Sequence, residues 1–229
     1  MGPGTAPCLW STGSQSSESS TAAKYYHSVL MLDAQDFGVP QTRRRMFLVA
    51  AKDFQPPRQI TATTTNRFAA ADILDPIGVH EARPVLGRER PLADATIARI
   101  ARGRKALRTG EDFLIVYYGS DAAGGWQPLD RPLRTLTTLD RFGLVSGTGR
   151  RATLRMLQAP ELKRAMGFQD NYQLARGTRR DRIRLLGNAV CPPVMEAVVK
   201  ALVKAANAHR APALGHPGST ARPRATILV

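Results

Sequence analysis

Cysteine is scarce in this sequence, with only Cys8 and Cys191 among 229 residues. Two cysteines are too few for a disulfide framework, and neither stands at metal-ligand spacing from the four histidines. No apolar run reaches the roughly 18 residues that a membrane span needs, and the N-terminus lacks the regions of a secretory signal. These absences predict a cytoplasmic protein with no metal site and no membrane partner.

Acidic residues are also few. The sequence has 18 of them against 33 lysines and arginines, which gives a formal net charge of +15. The basic residues are spread from Lys24 to Arg224 and are not confined to one tail. A basic domain of this kind predicts a polyanionic partner, most simply nucleic acid. GC-rich coding is a competing explanation, since 27 of the basic residues are arginine and six are lysine.

The two ends of the chain have little hydrophobic pattern. Residues 1–23 are rich in Ser, Gly and Thr, and they are predicted to be a disordered lead-in. Residues 209–229 are broken by Pro and Gly and are predicted to be a disordered tail. The hydrophobic content of 43% is sufficient for a core in the part between them.

Several segments between the ends have a clear secondary-structure pattern. The apolar run at 45–51 predicts a central strand covered on both faces, and 113–119 predicts a second strand. Helical spacing at 92–107, and a Pro-Glu start at 159–168, predict two helices. A third helix is expected after Pro192 and Pro193, with Asn188 near its start and one apolar stripe: Val194, Ala197, Val198, Ala201, Leu202 and Ala205. Together they indicate an α/β fold with a more irregular insertion from about 53 to 150.

A basic segment leads into the first of these strands. Side chains alternate along a strand, so Gln41, Arg43 and Arg45 are expected on one side and Thr42 and Arg44 on the other. Guanidinium groups in a partly water-excluded pocket bind planar acceptors such as a base carbonyl, a phosphate or a carboxylate. The alternative is a solvated ridge, or a set of salt bridges to a neighbouring loop.

Four segments, in this order along the chain, resemble DNA cytosine-5 methyltransferases of the phage type. They are "DAQDFGVPQTRRRMFLVA", "QPLDRPLRTLTTLDRFGLV", "LRMLQAPELKRAMGFQDNY" and "RIRLLGNAVCPPVMEAVVKAL". The resemblance implies the C-terminal part of a Rossmann-like, S-adenosylmethionine-dependent fold, with partial catalytic-domain segments at 24–52 and 151–208 and a target-recognition region at 53–150. The implied reaction moves a methyl group from S-adenosylmethionine to C5 of cytosine in double-stranded DNA.

The same resemblance implies roles for individual residues. Arg45 would donate to O2 of a cytosine flipped out of the duplex, with Arg43 and Gln41 holding the pocket. The residues implied for the cofactor pocket are Gly187, Asn188, Ala189 and Val190. Asn188 can equally be a helix cap with nothing bound. Cys191 is expected to be a small buried thiol, since apolar surroundings disfavour the thiolate.

Basic residues of the recognition region are candidates for DNA contact. Five of them lie close together on the predicted helix and its end, and are expected near phosphates: Arg99, Arg102, Arg104, Lys105 and Arg108. Tyr117, Tyr118 and Arg141 are expected nearer the bases. The alternative for the helix is an ordinary solvated face.

Three segments that the resemblance requires are not found before Gln41: a glycine-rich cofactor turn, a Pro-Cys segment with the nucleophile, and a Glu-Asn-Val segment. Cys8 follows a proline, but it stands only about 30 residues before the arginines, and it is expected to be incidental. The chain is therefore predicted to be a C-terminal fragment or subunit, inactive alone, for which a separate N-terminal half is a candidate partner. The alternatives are a non-catalytic DNA-binding module derived from such an enzyme and an unrelated basic nucleic-acid-binding protein.

Overall fold

The computed structural model describes residues 25–118, 124–210 and 225–228. Their first sheet has three antiparallel strands, β1 (Tyr25–Asp33), β2 (Arg44–Lys52) and β8 (Ala225–Leu228), in the order β1-β2-β8. The predicted strand at 45–51 is confirmed and is the central strand of this sheet. The predicted lead-in at 1–23, with Cys8, lies outside the described residues.

Among the described residues only one face of this sheet is fully covered, so the prediction of a strand buried on both faces was wrong. Leu30 of β1 and Phe47 of β2 point into the core. On the opposite face Val29, Met31 and Met46 are 55%, 51% and 57% exposed. The apolar composition of the strand predicts burial, but on this side Leu48 and Ala50 are only half-buried.

The C-terminal end contributes more structure than expected. The predicted disordered tail begins at 209, but the helix before it continues to Arg210, and residues 225–228 form β8. β8 pairs with Leu48–Ala51 of β2, and Ile227 packs against the core. The Pro and Gly residues predicted an irregular tail, whereas the apolar and β-branched residues near the end satisfy the free edge of β2.

The region at 53–150 is more regular than expected. It contains the helix α1 (Asp94–Ala106) and four strands, β3 (Arg83–Pro84), β4 (Phe113–Val116), β5 (Trp126–Pro128) and β6 (Phe142–Ser146). With β7 (Thr153–Met156) they form an antiparallel sheet in the order β3-β7-β6-β4-β5. Its strands are two to five residues long, too short for a clear period of alternation in the sequence.

Three helices follow the second sheet: α2 (Ala159–Ala165), α3 (Arg179–Asn188) and α4 (Pro192–Arg210). α2 begins at the predicted Pro-Glu segment, with Glu161 accepting from the backbone N–H of Gln158. α4 begins at the predicted Pro192. The prediction of Asn188 near its start was wrong, because Asn188 is the last residue of α3, a helix that the sequence analysis did not identify.

One continuous core joins both sheets with the last two helices. It includes Phe47 of the first sheet, Phe142 of the second sheet, Ile183 of α3 and Val198 of α4. A smaller cluster lies between the second sheet and α1, around Phe113 and Ile100. The α/β fold class is confirmed.

One helical stretch of the described residues, Arg179–Arg210, is long and apolar enough to cross a membrane by length and composition alone. It consists of α3 and α4 with a non-helical link at 189–191. Val194, Val198 and Leu202 of α4 are buried in the core. Core helices commonly pass this test, so it is weak evidence for a membrane span.

Candidate active site

A cavity of about 340 Å³ lies where β1, the start of β2 and the link between α3 and α4 meet. Most of its lining is apolar, with two guanidinium groups, one amide and one thiol. The lining residues are Leu32, Ala34, Arg43, Arg45, Phe47, Gly187, Asn188, Ala189, Val190, Cys191 and Val194. The fold therefore brings two of the predicted catalytic residues into one cavity with all four predicted cofactor residues. The two groups are separated by more than 140 positions in the sequence.

Gln41, the third residue predicted for the pocket, does not line this cavity. It is fully buried, and its amide nitrogen donates to the carbonyl oxygen of Ala165 (3.0 Å) and to the sulfur of Met166. Its amide oxygen accepts from the backbone N–H of Leu136 at 3.0 Å. Gln41 thus ties the end of α2 to the segment at 133–136.

Arg43 is only 6% exposed, and its guanidinium is occupied by backbone carbonyls. It donates to Leu136 at 2.9 Å, to Gly187 at 2.8 Å and to Ala189 at 3.3 Å. Burial lowers the pKa of the Arg43 guanidinium below its ordinary value, and the nearby charge of Arg45 acts in the same direction. The side chain holds the 133–136 segment and the α3–α4 link against the start of β2.

Arg45 differs from Arg43 because it remains exposed. It lies opposite Leu32 in the β1–β2 register, and it donates to the neighbouring carbonyl of Arg44 at 2.9 Å. Its guanidinium lines the same cavity as that of Arg43, as the predicted alternation requires, whereas Arg44 faces away. Of the two cavity arginines, Arg45 is the one whose donors can reach a bound molecule.

Residues 187–190, at the end of α3 and the start of the α3–α4 link, contribute one wall of the cavity. A Cβ atom on Gly187 would lie 2.4 Å from the carbonyl oxygen of Thr137, so a glycine is needed for close packing of α3 on that backbone. Asn188 is exposed, while Ala189 and Val190 are half-buried. An exposed amide beside apolar surface suits one side of a nucleoside-like ligand, but the lining offers no carboxylate for ribose hydroxyls.

Cys191 also lines the cavity, and its environment disfavours a nucleophilic role. The side chain is buried, and burial raises the pKa of the thiol to about 11, although Arg43 and Arg45 act in the opposite direction. A thiol with this pKa is almost fully protonated at neutral pH. The expectation of a small buried thiol is consistent with this environment.

Part of the predicted phosphate-binding cluster is engaged within the protein. Arg102 donates to the carbonyl of Gly124, and Arg104 donates to those of Glu111 and Gly147. Arg99 lies over the ring of Tyr117, 5.7 Å from its centroid. Lys105 and Arg108, by contrast, are exposed.

Arg141, expected near the bases, donates to the carbonyl of Tyr117 at 3.1 Å. The hydroxyl of Tyr118 donates to the carbonyl of Thr135 at 2.8 Å. The first contact joins the ends of β4 and β6, and the second holds the end of β4 next to the 133–138 segment. This segment carried no predicted site residue, although its Leu-Thr-Thr pattern belongs to one of the family-like stretches.

A group of possible metal ligands, Asp75, His80 and Glu161, has an internal explanation. Both Glu161 oxygens accept from Arg155, at 2.6 and 2.8 Å, and Glu161 also accepts from two backbone N–H groups. Asp75 accepts from Arg164 and lies 2.6 Å from His80. These contacts use the oxygens that a cation would need.

The fold and the cavity define an α/β protein with an arginine-bearing pocket at the start of a strand. The family model described as C-5 cytosine-specific DNA methylase matches residues 15–204. Because this match covers most of the sequence, the chain belongs to the C-5 cytosine-specific DNA methylase family.

Individual relatives are distant. The type II methyltransferase M.MthTI of Methanothermobacter thermautotrophicus is 23% identical over 190 residues, which are 76% of this chain and 55% of that protein. The Dnmt2 methyltransferase of S. pombe aligns with a TM-score of 0.48 and 15% identity, covering 81% of this chain and 59% of that one. The Entamoeba histolytica methyltransferase EhMeth aligns with a TM-score of 0.47 and 17% identity, covering 79% of this chain and 54% of that one. The chain thus spans a little over half the length of these relatives.

Proposed function

We propose that this chain supplies the C-terminal part of a DNA (cytosine-5) methyltransferase, which moves a methyl group from S-adenosylmethionine to cytosine in double-stranded DNA. The observation that carries the proposal is the shared cavity, where the exposed guanidinium of Arg45 faces the wall formed by Asn188, Ala189 and Val190. A substrate base and a cofactor must meet in one such place for direct transfer between them.

The role of Arg45 follows from the chemistry of cytosine. C5 is a poor nucleophile until a thiolate adds to C6, and negative charge then develops on the N3 and O2 side of the ring. A guanidinium fixed beside O2 stabilises that charge, in a base extruded from the duplex. Arg43 and Gln41 would act as positioning residues, because their donors are occupied by the backbone around the cavity.

S-adenosylmethionine, when bound, supplies the methyl group. Asn188, Ala189 and Val190 would border it with an amide and apolar surface. The absence of a carboxylate in the lining is consistent with a site completed by other residues, among them a glycine-rich turn. This chain would hold one side of the cofactor.

We infer that the chain by itself transfers no methyl group. The described residues contain one cysteine, Cys191, whose buried thiol has a raised pKa of about 11. The family reaction needs a thiolate, a carboxylic acid and a bound cofactor acting as one unit, and losing one member removes most of the rate. A separate N-terminal half is the simplest source of the missing groups.

The test is transfer of tritium from labelled S-adenosylmethionine to mixed-sequence duplex DNA. The chain is assayed alone and mixed with a separately expressed N-terminal half of a close relative, and Cys191→Ser serves as the matched control in the mixture. We expect activity only in the mixture, unchanged by Cys191→Ser. Activity of the chain alone that disappears in Cys8→Ala would contradict the proposal and make Cys8 the nucleophile.

The second candidate is a non-catalytic DNA-binding module derived from such an enzyme. The net charge of +15 and the exposed Lys105 and Arg108 favour it. Duplex binding that weakens with salt, together with no methyl transfer in any mixture, would support this candidate. Translation of the DNA upstream of the gene separates the two, since Pro-Cys and Glu-Asn-Val segments there indicate a split or interrupted enzyme.

A further inference from the structure

We propose that the outer side of α3 binds the phosphate backbone of DNA beside the cavity, through Arg180 and Arg184. We call these two residues the α3 ridge. The inference rests on the proposed function, because it needs DNA at the cavity. It adds a contact surface outside the predicted recognition helix.

The placement of the α3 ridge follows from helix geometry. Arg180, Arg184 and Asn188 are spaced by four residues, so they lie along one side of α3, and all three are exposed. The opposite side, with Ile183 and Leu186, is buried in the core and fixes the helix. Arg180 to Asn188 spans about 12 Å, and Asn188 lines the cavity, so the ridge leads to the cavity mouth.

The other charged residues of α3 have partners within the protein. Arg179 forms an ion pair with Asp140 and donates to the carbonyl of Leu157. Arg182 donates to the carbonyl of Ala175. The single acidic residue of the helix, Asp181, accepts from the N–H and hydroxyl of Thr178 in the N-terminal cap. Arg180 and Arg184 are the two exposed arginines of this helix.

Helix electrostatics does not explain these arginines. The N-terminal end of a helix carries partial positive charge, so cations are favoured in the last turn and disfavoured in the first. α3 has Arg179 and Arg180 in its first turn, beside the favourably placed Asp181, and it has no basic residue in its last turn. An anion bound along the ridge would reverse the sign of this interaction, since it would face both the arginines and the positive end of the helix.

A second cavity, of about 400 Å³, adjoins the beginning of the ridge. Arg141, Arg179 and Arg180 line it together with Asp140, between α3 and the loop before β6. Arg141 and Arg180 come from the two sides of this depression. The basic surface therefore continues from the ridge toward the recognition region, as a backbone-binding track requires.

The test compares the salt dependence of duplex binding in four forms of the full chain. They are the wild type, R180Q/R184Q, R180K/R184K and K200Q/K204Q. The last is the matched control, because Lys200 and Lys204 are also exposed, lie four residues apart on a helix, and carry the same charge. Thermal unfolding of each variant checks that the fold is retained. Binding of a labelled mixed-sequence duplex is measured from roughly 50 to 200 mM salt.

We expect R180Q/R184Q to reduce the magnitude of the slope of log affinity against log salt by about 1.8, the value for two lost phosphate contacts. R180K/R184K and K200Q/K204Q should keep the wild-type slope. An unchanged slope in R180Q/R184Q, or an equal reduction in K200Q/K204Q, would contradict DNA binding by the α3 ridge while leaving the proposed function intact. No duplex binding by the wild type, either alone or mixed with the N-terminal half of a close relative, would instead overturn the proposed function itself.

Discussion

Replacing Gly187 with alanine tests whether the cavity wall is fixed by backbone packing. The new Cβ would lie 2.4 Å from the carbonyl oxygen of Thr137, 2.5 Å from its carbonyl carbon and 2.6 Å from the nitrogen of Thr138. These neighbours are backbone atoms that cannot rotate away. α3 and the 137–138 segment must therefore move apart by more than half an ångström before the contact is acceptable.

Two opposing effects set the magnitude. Alanine is favoured over glycine in a helix by up to about 1 kcal/mol. Overpacking costs about 1–3 kcal/mol, and the shift would also weaken the 2.8 Å charged hydrogen bond from Arg43 to the Gly187 carbonyl, which contributes about 1.5–3 kcal/mol. We expect a net loss of about 2 kcal/mol in the free energy of unfolding.

The assay is urea unfolding of the wild type, Gly187→Ala and Leu185→Ala. With a slope of about 3 kcal/mol per molar, the expected loss lowers the midpoint by about 0.7 M. Leu185 is exposed in the same helix, so Leu185→Ala should stay within about 0.5 kcal/mol of the wild type. A Gly187→Ala protein as stable as the wild type, or more stable, would refute the packing argument, because helix propensity alone predicts that result.

Three further outcomes are expected. In an enzyme reconstituted with an N-terminal half, Arg45→Ala should lower turnover by about 10²- to 10³-fold with little change in DNA affinity. Arg44→Ala should have only a small effect on turnover. Equal losses for the two variants in a methyl-transfer assay would contradict the role proposed for Arg45. Burial opposes ionisation of Glu161, but hydrogen bonds led by Arg155 hold its pKa below the ordinary 4.5. The stability from this carboxylate is therefore present above pH 4.5 and lost as the pH falls through the lower folded-state value, and denaturant titrations at decreasing pH should show a loss that Glu161→Gln lacks. Deleting residues 221–229 removes β8 and frees the edge of β2, so light scattering should detect more self-association, and an unchanged mass would argue against the edge-protecting role.

Prediction of individual elements succeeded where the signal was local. The strand at 45–51, the helix that became α1, and the start of α4 at Pro192 each follow from the spacing of apolar residues or from terminal prolines within a few positions. Much of the second sheet and all of α3 were missed. Short strands provide too few residues for a period. In α3 four of the ten residues are arginine and only three are large and apolar, so its helical pattern is weak.

The candidate site shows the same division. Alternation along the chain placed Arg43 and Arg45 on one side of the strand, and the family-like segments selected residues 187–190 as a second group. The sequence did not indicate which of Gln41, Arg43 and Arg45 can contact a ligand and which hold the protein backbone. Gln41 and Arg43 are occupied by backbone carbonyls and only Arg45 remains accessible, because the 133–136 segment and the α3–α4 link pack over the first two.

The sequence by itself therefore determined the basic charge, the main core elements and the side of the strand on which each arginine lies, since these depend on composition and on neighbours within one or two turns. Tertiary structure alone decided that Arg43 and Arg45 share a cavity with residues 187–190, and that β8 pairs with β2. These properties depend on contacts between residues more than 140 positions apart, which are selected by packing of the whole chain and leave no local period to detect.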